Sequence, residues 1–494
     1  DPTTIYGPHI DFGGKKRSIS VPYTVPYIGG LTLPDDAQHS FRFVENHVSR
    51  PGDEIAAAVD MTGFVFSGPS YPYSTGGHVA VEAHIDRNYF YTSLSGGANA
   101  VAQITASSVL LRSAASAEVS IDNNVFRAAM GAAAQASFIN LLWVGTNDLS
   151  VRESSSYNSI FHVQDDSGVL NVFPSLTPGG PSLENDVYHL NYECELRGNQ
   201  IHPQEAVSTS QPLIGITSIV SSANDRPVRA SNRLVIDDNH VAGDIASSNS
   251  IMHTILSSVH PTTVLPQRSS ALHSAQARGN YFAASVSAAG AMHIGSYLVA
   301  SNLENVGIQT DMSSNKVAGD VGTALRVFQV ASSPRSVGSV RFADNEIVMG
   351  PTSTFGGNVG DYSTLGNGEH GISFTGNRVL AHGTSSPPNA LRAVGLVTSI
   401  DFDGNQLVGM DENVQTFGAP FAAFVPVAYQ PLRVGFSNNV VRHVNAAYSM
   451  SVIGSTTDSS DQTSFSFTNN QFRGVSASSG YLASATLSTG GSNV

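Results

Sequence analysis

A six-residue pattern, apolar-x-x-Asn-x-apolar, recurs along nearly the whole chain and limits the possible folds more than any other feature. It reads FVENHV at 43–48, IDRNYF at 85–90, IDNNVF at 121–126, LRGNQI at 196–201, IDDNHV at 236–241 and ARGNYF at 277–282. Later copies are MSSNKV at 312–317, FADNEI at 342–347, FTGNRV at 374–379, FDGNQL at 402–407, FSNNVV at 436–441 and FTNNQF at 467–472. The aligned asparagines are Asn46, Asn88, Asn124, Asn199, Asn239, Asn280, Asn315, Asn345, Asn377, Asn405, Asn439 and Asn470. Successive copies lie 28 to 42 residues apart, except for a double gap after Asn124, where YNSIF around Asn158 reads as a degraded copy.

In nine of the twelve copies the residue before the asparagine is Gly, Asn or Asp, the types that tolerate a left-handed backbone. The motif therefore predicts a tight bend between two short strands. In EHGISFTGNRVLAHG (369–383) and GLVTSIDFDGNQLVGM (395–410) apolar residues alternate on both sides of the bend, as in half-buried strands. A further β-rich run precedes the later bends, ALRVFQVA at 324–331 and ALRAVGLV at 390–397, so each repeat supplies about three strands.

Three short strands per repeat, one bend asparagine per repeat and no 3.6-residue apolar period describe an all-β parallel solenoid of about twelve or thirteen coils. An antiparallel sandwich or a propeller also gives regular strands, but propeller blades carry four strands and longer periods. With these residues the chain resembles the right-handed parallel β-helix (pectate-lyase-like) superfamily of pectate lyases, polygalacturonases, phage tailspikes and surface adhesins. The resemblance implies an internal asparagine ladder, with carboxamides hydrogen-bonded from coil to coil. In style the chain is closest to non-enzymatic, surface-displayed β-helix proteins. Stacking at about 4.8 Å per coil predicts a rod on the order of 60 Å long.

Residues 1–39, rich in Pro, Gly and Tyr, lack the motif and read as an N-terminal arm or cap, with the β-helix occupying 40–494 and possibly continuing beyond it. The chain opens at Asp1 without a methionine or a leader pattern, which reads as a processed or trimmed start. The Gly/Ser/Pro-rich stretches 173–184, 207–229 and 351–368 read as loops. The last coil, around 461–490, ends without a recognisable cap and would leave strand edges open.

Composition then removes function classes. Charged residues are 13%, net charge is −14, and the lysines are Lys15, Lys16 and Lys316 alone, too few cations to track a nucleic-acid backbone. No apolar run approaches the ~20 residues of a membrane-spanning helix. The lone Cys194 cannot form an intrachain disulfide.

Strings that look chemical fail on context. Gln164-Asp165-Asp166 and His370-Gly371-Ile372-Ser373 are similar to polygalacturonase motifs, but lie roughly 200 residues apart instead of one coil. Asp401 and Asp403 project from one strand face and could hold Ca²⁺ or act as an acid/base pair, although two solvated positions beside a bend explain them as well. GNGEHG at 366–371 precedes a strand, not a helix, so it is no dinucleotide loop. No zinc-like His/Cys spacing and no Gly-x-Ser-x-Gly occurs. Tyr71, Tyr73, Tyr89 and Tyr91 could stack on sugar rings.

The expected function is an extracellular or cell-surface structural or adhesive β-solenoid, part of a surface structure, filament or particle appendage. It would self-associate or dock to a larger assembly, with glycan contact as a further possibility. No cofactor, metal or catalytic residue is assigned, and catalysis is left open. The alternative is a polysaccharide lyase or hydrolase, or a tailspike-like depolymerase.

Overall fold

The computed structural model describes residues 3–6, 10–11, 19–20, 24–25, 36–50, 59–67, 78–94, 100–109, 114–127, 129–130, 135–144, 148–161, 170–177, 188–221, 228–259, 270–299, 305–332, 336–362, 369–382, 389–410, 415–417, 419–428, 432–446, 450–456, 464–477 and 483–489. Among them there is no α-helix, and so none long and apolar enough to cross a membrane. Tyr71, Tyr73, Lys15, Lys16 and Gln164 to Asp166 lie outside the described residues.

The fold is an all-β parallel β-helix. One coil shows the plan: strand Ser336–Ala343, a bend at Asp344-Asn345, strand Glu346–Met349 and strand Phe355–Asp361. The next coil lays His370–Thr375, Arg378–Ala381 and Asn389–Gly395 on these three, all parallel and in register (Val340↔Ile372, Ile347↔Val379, Val359↔Ala393). Ser399–Asp403, Gln406–Gly409 and Ala419–Ala428 repeat the step. Parallel strands buried on one side and open on the other alternate inward apolar and outward polar residues, as Ser336–Ala343 does with Val340 and Phe342 inside.

The chain divides into two compact units. The first comprises Asp1–Asp244, Thr254–Ser274 and Ala300–Asn305, and the second Ile245–His253, Ala275–Val299 and Val306–Val494. In the first, strands Thr3–Tyr6, Asp36–Val44, His78–Asp86, Ala114–Asp122, Asp148–Ser154, Tyr188–Arg197 and Val228–Asp237 pair in that order. The N-terminal segment takes part in this stacking. Thr3–Tyr6 pairs with Phe41–Val44, Ile10–Asp11 with Val48–Ser49, Ile19–Ser20 with Val59–Asp60, and Thr24–Val25 with Val65–Phe66.

All thirteen residues preceding the aligned asparagines, the Asn158 copy included, adopt positive φ between 54° and 66°. Glycine supplies this at Gly198, Gly279, Gly376 and Gly404, while Glu45, Arg87, Tyr157 and Ser314 are held there against a cost of roughly 1–2 kcal/mol each. All three stretches read as loops contain strand instead: the end of Leu170–Thr177 in 173–184, Val207–Thr209 and Ile214–Ser221 in 207–229, and Phe355–Asp361 in 351–368. Glycine there is a packing choice, since a Cβ on Gly357 would stand 2.9 Å from the Phe342 ring.

Candidate functional site

The bend asparagines form a continuous hydrogen-bonded row within each unit. The backbone N–H and Nδ2 of each donate to Oδ1 of its counterpart one coil on, at 2.9–3.2 Å, along Asn46, Asn88, Asn124, Asn158, Asn199 and Asn239 in the first unit. In the second, Asn280, Asn315, Asn345, Asn377, Asn405, Asn439 and Asn470 repeat this at 2.9–3.1 Å. The second amide proton goes to a main-chain carbonyl, as from Asn405 to Phe374 and from Asn439 to Phe402, both at 2.9 Å. Each interior carboxamide thus uses both protons and accepts two bonds, which is how a buried amide avoids its desolvation cost.

The aspartates two residues before a bend asparagine serve the same joint. Asp403 accepts from Ser437 Oγ at 2.7 Å and Asn438 Nδ2 at 2.9 Å, and these bonds hold its carboxyl below the usual range. Asp401 is half-buried, and burial raises its carboxyl despite the Arg433 guanidinium. Of the two, Asp403 is the one tied to the joint between coils. Among the described residues, no three His, Cys, Asp or Glu side chains converge as a metal site would require.

Two polar clusters carry the residue types of catalysis. In the second unit His370 bridges Ser336 Oγ (2.7 Å from Nε2) and Asp361 Oδ2 (2.9 Å from Nδ1), while Gln329 Nε2 donates to the same carboxylate oxygen at 2.5 Å. This is the connectivity of nucleophile, base and orienting acid. All four side chains are nevertheless fully buried in the coil interior, so the arrangement bonds the strand ends of adjacent coils to one another and offers a substrate no approach. A second histidine seven residues before its bend asparagine, His273, makes the same kind of bond to Ser258 Oγ at 2.6 Å.

In the first unit Tyr192 donates its hydroxyl to Glu153 Oε2 at 2.9 Å, beside Cys194, which is Glu153's register partner. Glu153 Oε1 has no hydrogen-bond partner among the described residues. Burial pushes the Glu153 carboxyl up to about 8 and raises the Cys194 thiol, so both are neutral near pH 7 and the thiol is a poor nucleophile.

The sequence could not show either cluster, because its members meet only through coil register. An inward His seven residues before a bend asparagine was the one available signal. At the C-terminal end, strands Ser464–Thr468, Gln471–Ala477 and Ala483–Thr489 each pair on one side only among the described residues, and Phe467 is 44% exposed where its neighbour Phe436 is fully buried. No family model, no curated protein and no solved structure matches the chain.

Proposed function

We propose that this chain is an extracellular or cell-surface structural β-solenoid that displays its outer faces for adhesion and self-associates or docks into a larger assembly, and that it belongs to the pectate-lyase-like β-helix superfamily. The observation that carries the scaffold reading is the investment of polar side chains in joints between coils. Carboxamides, Asp403 and the Ser336–His370–Asp361 chain all have their hydrogen bonds directed to neighbouring coils.

The test is functional and direct. The purified chain, incubated with polygalacturonate, heparin and neutral polysaccharides, should release neither unsaturated nor reducing ends, and should adhere to glycan-bearing surfaces. Turnover that disappears in His370→Ala or Asp401→Asn would replace the scaffold by the polysaccharide lyase or hydrolase. Sedimentation as a strict monomer at all concentrations would remove the self-association.

A further inference from the structure

Histidine is the side chain whose ordinary charge change falls between pH 5 and 8, so two imidazoles packed together on neighbouring coils are a place where acidity can act on the fold. In the second unit His253, on strand Ile245–Val259, and His293, on Tyr281–Val299, stack with ring centroids 4.6 Å apart and planes 26° apart. Both rings are half-buried beside the fully buried Met252 and Met292. His293 has Arg326 as its register partner on the next coil, so a permanent cation adjoins the pair. The imidazoles have little to offer a second proton. His253 Nδ1 lies 3.3 Å from Asn249 Oδ1, and His293 Nε2 is buried without a hydrogen-bond partner among the described residues.

The surrounding strands supply no anion to answer such a proton. His253 is the one ionisable residue of Ile245–Val259, and Tyr281–Val299 adds to His293 only the phenols of Tyr281 and Tyr297. Val207–Thr209 and Ile214–Ser221, which pair with Ile245–Val259, have none. On Lys316–Ser332 the charged residues are Lys316, Asp320 and Arg326; Lys316 pairs with Glu346 at 3.1 Å, and Asp320 accepts from the N–H and hydroxyl of Thr352 at 2.8 and 2.7 Å. Beyond it, Phe355–Asp361 places the neutral Asn358 beside Arg326, while its Asp361 is fully buried and bonded to His370. Burial and the Arg326 guanidinium hold His253 below its ordinary value, and burial, His253 and Arg326 together push His293 down to about 3.

We infer that the His253 and His293 stack is an acid-sensitive joint: neutral, it holds strands Ile245–Val259 and Tyr281–Val299 together, and protonated, with Arg326 alongside and no carboxylate facing it, it forces them apart. The sign follows from linkage. The folded chain binds these protons more weakly than the unfolded chain, so the joint is at full strength above about 6.5 and weakens as pH falls from there towards 3. Within that window the proton on His293 raises the opening equilibrium by about tenfold per pH unit. The bend carboxamides do not ionise and keep their bonds over the same range. Glu153 in the first unit runs the opposite way, since a carboxyl raised to about 8 binds its proton more tightly in the folded chain. Acid weakening is therefore a local property of this joint and is not shared by the polar core around Glu153.

Amide hydrogen exchange of the full chain, read by mass spectrometry and corrected for the intrinsic pH dependence of exchange, tests it. Between pH 7 and pH 4.5, protection of Tyr281–Val299 should fall by about tenfold or more relative to strand Arg378–Ala381 in the same unit. The double variant H253F/H293F keeps two stacked rings without an ionisable nitrogen and should abolish that fall, and Arg326→Gln should reduce it. His240→Phe, in the first unit's edge-to-face pair with His202 (centroids 4.8 Å apart), should leave it unchanged. Histidine-labelled NMR of the unaltered chain gives a second measurement that needs no variant to fold: the His293 ring should stay neutral well below pH 6.5. Titration of His293 at or above that value, an equal loss of protection in both strands, or an undiminished fall in H253F/H293F would overturn the assignment.

Discussion

The interior between Asn345 and Asn470 in the second unit and the interior around Asn158 in the first are built from opposite materials around the same hydrogen-bonded row. From Asn345 to Asn470 the residue three before each bend asparagine is phenylalanine, and Phe374, Phe402, Phe436 and Phe467 stack with centroids 4.9–5.0 Å apart and planes within 8°. That separation is the strand spacing itself, so the rings inherit their geometry from the backbone. In the first unit the corresponding residues are Ile121, Ser155 and Leu196, and the neighbouring inward positions hold Glu153, Tyr192 and Cys194. The carboxamide row hardly registers the change: its bonds are 2.9–3.0 Å along Asn345, Asn377, Asn405 and 3.0–3.2 Å along Asn124, Asn158, Asn199. Register and core composition are thus separable, with one maintained at the bend and the other free to vary.

The largest expected effect lies on the aromatic side. Phe402→Ala removes a ring touching Phe374, Phe421 and Phe436 and should cost about 3–5 kcal/mol in denaturant unfolding. Next comes the carboxylate in the polar core. The Glu153 carboxyl is raised from its ordinary value to about 8, so the stability it contributes is present below about 4.5 and is lost as pH rises through 8. That loss is on the order of 1 kcal/mol per pH unit in the window. Glu153→Gln should flatten the dependence of unfolding free energy on pH, and an unchanged slope would mean the carboxyl ionises without penalty. Asn158→Leu and Asn377→Leu, which break the row in the two units, should each cost roughly 1–3 kcal/mol and by similar amounts. A much smaller loss at Asn158 would show that the row matters less where the core is polar.

The smallest effect is at the bend residue. Tyr157→Gly should stabilise by no more than about 1 kcal/mol, because relief of its left-handed backbone (φ 57°) is partly cancelled by the added freedom of glycine when unfolded. Gly376→Ala should run the other way by about 1–2 kcal/mol, with φ at 66° and the new Cβ 2.4 Å from Asp344 Oδ1.

The bends and the strands beside them were legible because their signals are local: an asparagine, a neighbour able to take positive φ, and alternation over five or six residues. The strand Phe355–Asp361 was not, since its glycines read as loop residues until Phe342 is known to lie against Gly357. The Ser336, Asp361 and His370 chain was hidden for a different reason. Its members are brought together by parallel register across intervals of 9 to 34 residues, and nothing within any one repeat announces which partners the next coil will supply.

The row of carboxamides has a consequence for how such a chain can change over generations. Linked asparagines are separated by as few as 28 residues (Asn377 to Asn405) and as many as 42 (Asn46 to Asn88), yet the joint they make is the same. Chain inserted elsewhere in a coil is therefore invisible to the joint. A lineage can lengthen one coil's excursion, or duplicate a whole coil, and leave every other joint intact, so diversification of the outer surface is uncoupled from the integrity of the scaffold.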